Sequence, residues 1–93
     1  MFVHIGSGVS LDGESVVMIV DLEGESTSVQ TTEYMKKMSR LGRVRTVGDE
    51  LPRTLVITYD QKNGQLCYVS PISARTLKER IDEGEVIRNW KRS

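Results

Sequence analysis

Residues 53–69, RTLVITYDQKNGQLCYV, constrain the fold more tightly than any other stretch of this chain. Arg53 to Tyr59 is a run of β-branched, aliphatic and aromatic residues, the types that pack well on a pleated surface. Leu66 to Val69 is a second, shorter run of the same kind. Between them lie Asp60-Gln61-Lys62-Asn63-Gly64-Gln65, with Asn63-Gly64 as the positive-φ pair of a tight turn. The pattern predicts a β-hairpin. Leu55, Ile57 and Tyr59 share one face, and Thr54, Val56 and Thr58 share the other. Leu66 and Tyr68 oppose Cys67 and Val69 in the same way, so neither face is cleanly polar. A hairpin apolar on both sides needs two covers. Helices of this chain supply one, and the other is expected from a second subunit.

The 93 residues make one domain, in which a deep catalytic cleft would be hard to carve. With 38% hydrophobic and 28% charged residues, the chain falls among ordinary soluble globular proteins. No apolar run approaches the roughly 20 residues of a membrane span. The start, MFVHIGSG, lacks the form of a signal peptide. A single cysteine excludes an internal disulfide, and a reducing cytoplasm is the expected location.

Net charge is zero, but the charges are segregated. Residues 1–30 hold Asp12, Glu14, Asp21, Glu23 and Glu25 and no Lys or Arg. Residues 36–45 hold Lys36, Lys37, Arg40, Arg43 and Arg45 and no acid. Such a basic segment can meet phosphate, meet the acidic part of a neighbouring subunit, or simply be a solvated face.

In chain order, Phe2–Ile5 reads as a short strand ended by Gly6-Ser7-Gly8, a turn rather than a phosphate loop, and Val9–Leu11 resumes it. Val16–Val20 is a continuous apolar run and reads as a central strand buried on both faces. Thr27 and Gln30 have capping-box spacing for a helix running to about Leu41, with Gly42 as its stop. Tyr34, Met35, Met38 and Leu41 would face the sheet; Lys36, Lys37 and Arg40 would not. Arg43–Val47 alternates like an edge strand with both arginines on one face. Ser73 is a good N-cap for a second helix whose Leu77 and Ile81 point inward and which Gly84 ends. Residues 84–93 then form a basic tail with Trp90 among Arg88, Lys91 and Arg92. The fold class is α+β: one domain, residues 1–83, with a small, mostly antiparallel sheet around a central hairpin, and two helices.

Little in the chain carries catalytic chemistry. His4 is the only histidine, so no two-histidine or Cys–His metal set fits one chain, and no metal or cofactor is expected. Nor does anything near His4 suggest a Ser–His arrangement. Cys67 lies mid-strand as a small buried hydrophobe with nothing nearby to activate its thiol. The expectation is a non-enzyme.

Taken in order, the opening FVHIG, the apolar VVMIV, a helix, LPRTLVIT before the hairpin, and SPISARTLKERI resemble the RemA/RemB family of bacterial extracellular-matrix (biofilm) regulators. The resemblance covers about residues 1–83 and is nearer the RemB-like branch. It implies a cytoplasmic, non-enzymatic transcription regulator that assembles with itself, as a ring, and presents arginines to double-stranded DNA. The chain departs from the RemA-like pattern where Ser15, Glu50 and Leu51 replace basic residues, and of those basic positions only Arg53 matches. The expected DNA contacts are Arg53 with Arg43 and Arg45, and Lys36, Lys37 and Arg40 as backbone contacts. The alternative is an oligomeric interaction module, or the partner of another regulator, in which those cations meet acidic neighbours and no DNA is bound.

Overall fold

The alternation that marks residues 53–69 as a hairpin appears in the structure as two seven-residue strands, β5 (Thr54–Asp60) and β6 (Gly64–Ser70). The structure is a computed structural model that describes residues 1–24 and 28–92, with side chains through residue 83. The turn differs in detail from the expectation. Gly64 takes the left-handed conformation (φ 69°), but Asn63 does not. Asp60 instead pins the turn: its carboxylate accepts from the Asn63 amide at 2.6 Å and from the Asn63 side chain at 3.3 Å. One left-handed glycine after a tight turn closes a three-residue loop without a second strained residue.

Four more strands precede the pair: β1 (Phe2–Gly6), β2 (Val9–Asp12), β3 (Val16–Asp21) and β4 (Val44–Thr46). The first two form their own antiparallel hairpin. The rest form a four-stranded sheet in the order β3-β5-β6-β4, antiparallel except that β4 runs parallel to β6. Helix α1 (Val29–Arg40) lies between β3 and β4 in sequence, and α2 (Ala74–Arg92) ends the chain. The architecture is α+β, as expected.

Both faces of the central hairpin are covered by this chain. On one side Leu55, Cys67 and Val69 bury against Met38 of α1, with Val20, Tyr34, Met35, Val44 and Ile57 at the margin. On the other side Val56 packs with Val3, Ile5 and Leu11 of the N-terminal hairpin, Val47, and Leu77 of α2. Burying a side chain such as Leu77 stabilises the fold by about 1.5–3 kcal/mol. Polar groups in this layer find partners: Ser70 Oγ donates to the Ile5 carbonyl at 2.7 Å, and Thr54 Oγ1 to that of Ile72 at 2.6 Å. The cover expected from a second subunit is supplied by the N-terminal hairpin and α2, because residues 2–12 fold back as a hairpin instead of extending the main sheet.

The strand expected at the centre is at the edge. Among the described residues β3 pairs only with β5, and Val17 is 64% and Met18 54% exposed. An extra residue, Val17, bulges between the Val16–Thr58 and Met18–Ile57 pairs. A continuous apolar run fits a two-sided buried strand and an uncovered edge equally well, so sequence pattern could not separate them.

The helix ends also shift. Ser28 is the N-cap of α1, its Oγ accepting from Thr31 N–H at 3.1 Å; Thr27, the expected cap, lies outside the described residues. At the other end Gly42 (φ 70°) takes the expected left-handed stop, and Arg43 N–H donates to the Met38 carbonyl at 2.9 Å. Leu41, expected in the core, is 61% exposed because it caps the helix instead of continuing its inner face. Ser73 does cap α2, accepting from Thr76 N–H at 3.2 Å. Gly84 does not stop that helix, whose backbone continues to Arg92. The side chains of the expected tail, Trp90 included, lie outside the described residues.

Candidate nucleic-acid interface

The parallel pairing of β4 on β6 decides where the cations gather. Val44 pairs with Cys67 and Thr46 with Val69, which sets Arg43 beside the turn end of the central hairpin. Arg43 donates through Nη1 to the carbonyls of Asn63 at 2.6 Å and Gln65 at 3.3 Å. Arg45 donates to the carbonyl of Gly42 at 2.8 Å. Each guanidinium is thus fastened by one nitrogen to exposed backbone, which leaves its other donors for a ligand. Lys62, in the turn, completes a hollow of about 340 Å³ lined also by Leu41, Gly42, Asn63 and Leu66.

Helix α1 carries the rest. Lys36, Lys37 and Arg40 are exposed on its outer side, and Lys36 and Arg40 flank a shallow depression with Glu33 and Ser39. Arg40 Nε reaches back to the Lys36 carbonyl at 3.4 Å. Lys37 and Arg40 stand in the last helical turn, where a positive charge also favours the helix dipole by about 0.3–1 kcal/mol. Among the described residues, none of Lys36, Lys37, Arg40, Arg43, Arg45 and Lys62 makes an ion pair.

Arg53 is elsewhere. It precedes β5 at the far end of the hairpin, about 20 Å from the turn by strand rise over seven residues. Its Nε donates to Glu23 at 2.9 Å in a half-exposed ion pair. Exposed pairs of this kind contribute about 0–1 kcal/mol, so the contact is easily exchanged. The structure therefore brings Arg43 and Arg45 together on one edge, sets Lys36, Lys37 and Arg40 on the adjacent helix, and separates Arg53 from all five. Lys62 was missed in the sequence because only the parallel β4–β6 register places it beside two arginines.

Among the described residues, Tyr34 and Asp60 titrate away from their ordinary values. Tyr34, between α1 and the sheet, is pushed up to about 12, first by burial and then by the Cys67 thiol, which donates to its hydroxyl oxygen at 3.6 Å. The Tyr34 hydroxyl itself donates to Gln65 Oε1 at 2.8 Å. Asp60 is held below its ordinary value chiefly by the Asn63 amide. Among the described residues no group of three or more His, Cys, Asp or Glu side chains is placed to hold a metal ion. Among them, too, no helix is long and apolar enough to cross a membrane.

No family model matches this chain, and no curated protein matches it.

Proposed function

We propose that the chain is a cytoplasmic, non-enzymatic regulator of extracellular-matrix gene expression that acts as a homo-oligomer and binds double-stranded DNA. The supporting observation is the gathering of Lys36, Lys37, Arg40, Arg43, Arg45 and Lys62 around one edge and helix without an ion-pair partner among the described residues. Unpaired cations spread over a helix and an adjoining strand match the spaced charges of a phosphate backbone. The contacts are backbone contacts: α1 offers side chains to phosphate, and the two fastened guanidiniums fix where the duplex lies. Arg53 acts separately, releasing Glu23 when it meets phosphate.

The test is anisotropy of a labelled duplex titrated with the full chain at two salt concentrations. Affinity is expected to fall with salt, log K against log salt having a slope of about −0.9 for each phosphate neutralised. Lys36→Glu with Lys37→Glu should weaken binding at least tenfold and leave the native mass unchanged. Salt-independent binding, or none, contradicts the proposal.

A second reading is an oligomeric module that binds no DNA, and the apolar β3 edge favours it. Under that reading the same double charge reversal breaks the oligomer.

A further inference from the structure

The main sheet has two open edges, and they are complementary. At one edge, β3 shows no charged side chain from Val16 to Val20. It borders an apolar groove of about 330 Å³ lined by Val17, Met18, Val20, Tyr34, Leu55 and Ile57. Free edges normally carry a guarding charge or proline, and this one has only the bulge at Val17. Beyond the bulge its backbone is open. Leu22 N–H donates to the Arg53 carbonyl, so by antiparallel alternation Met18 and Val20 bond to β5, while Ile19 and Asp21 turn their N–H and C=O groups outward.

At the other edge, Cys67 N–H donates to the Arg43 carbonyl and Val47 N–H to the Val69 carbonyl. Arg43, Arg45 and Val47 therefore bond to β6, and Val44 and Thr46 turn outward. The exposed Leu41, the C-cap of α1, stands beside this edge and lines the hollow there with Arg43 and Arg45. The groove opens on the α1 side of β3, where Met18 and Val20 lie opposite Ile57 and Leu55.

Charge settles which copy meets which edge. Asp12 and Glu14 precede β3 and Asp21 closes it; Arg43, Arg45 and Lys62 gather at the start of β4, and Asp49 and Glu50 follow its end. Two β3 strands laid antiparallel would bring acid against acid at both ends, whereas β3 beside β4 in parallel brings Asp12 and Glu14 toward Arg43 and Lys62. β3 and β4 also run in the same direction within one sheet, so a copy that simply continues the sheet pairs them in parallel. In that arrangement Asp21 and Arg45 lie on the same face.

Resting on the oligomeric reading above, we infer that the β3 edge of one copy docks the β4 edge of the next, head to tail, with Leu41 of the second seated in the apolar groove of the first. Every copy then has one edge of each kind engaged, and a contact of this heterologous type closes into a ring when its rotation permits.

Two variants separate this contact from its rivals. Met18→Glu blocks the β3 edge, and Leu41→Glu sets an acid toward the acidic neighbour. Both side chains are more than half exposed, and an unchanged far-UV spectrum and melting temperature confirm folding. Light scattering on the full chain should give an oligomer for the wild type and monomers for each variant. An equimolar mixture of the two should give a dimer and nothing larger, because one intact edge of each kind remains. A monomeric wild type overturns both this inference and the oligomeric reading. An oligomer that survives Met18→Glu, or a Leu41→Glu chain that still dimerises, overturns the inference alone. So does a mixture that stays monomeric.

Discussion

The two edges of the main sheet end in different ways. β4 is three residues long and flanked by two arginines whose guanidiniums fold back onto backbone carbonyls. β3 is six residues long, apolar up to Asp21, and bordered by a groove that α1 leaves uncovered. A short edge ringed with like charge repels copies of itself; a longer apolar edge invites a partner. Apart from Tyr59 near its turn, the central hairpin is covered, and the exposed apolar surface of the sheet lies beside it at β3. That hairpin, covered by α1 on one face and by β1, β2 and α2 on the other, is the rigid plate that holds both edges in place.

The largest effect should come from breaking that plate. Leu55 is fully buried between α1 and the sheet, and Leu55→Ala should destabilise the fold by about 2–5 kcal/mol in urea unfolding. Both edges would be lost together. Met18→Glu should do the opposite, changing monomer stability by no more than about 0.5 kcal/mol while reducing native mass. On the outer side of α1, Arg40→Ala should weaken duplex binding by up to about tenfold and leave native mass unchanged, because that face carries charge rather than apolar surface.

Smaller effects follow from titration. Tyr34 has a folded-state pKa raised to about 12, so its contribution to stability is full below its ordinary value and is lost as pH rises toward 12. Absorbance at the tyrosinate band should show a phase that titrates toward pH 12, and Tyr34→Phe should remove it. Asp60 shows the reverse sign. Its pKa is depressed, so its contribution is present above the ordinary value of 3.8 and is lost as pH falls through the lower folded-state value. Carboxyl chemical shifts should place its midpoint below 3.8, and Asp60→Asn should remove it.

Much of this was legible in the residues. Alternation from Thr54 to Thr58 located the central hairpin and assigned its faces correctly, and Gly42 and Ser73 marked a helix end and a helix start. What failed was long-range order. Val16–Val20 has the same local pattern at an edge as at a centre, and only pairing with β5 on one side distinguishes them. Leu41 fits a helical stripe yet falls at the cap, where the backbone turns its side chain outward. Of the candidate cations, Arg43 and Arg45 were placed together by alternation along one strand. Arg53 was grouped with them because it matched a basic position of the family resemblance, although the hairpin carries it to the end of the sheet away from the turn.

Amide hydrogen exchange within β3 measures directly whether copies meet at that edge. In the wild-type oligomer the outward amides of Ile19 and Asp21 should be as protected as the inward amides of Met18 and Val20, and Met18→Glu should release only the outward pair. Rapid exchange of Ile19 and Asp21 in an intact oligomer would contradict the docking of β3 on a second copy.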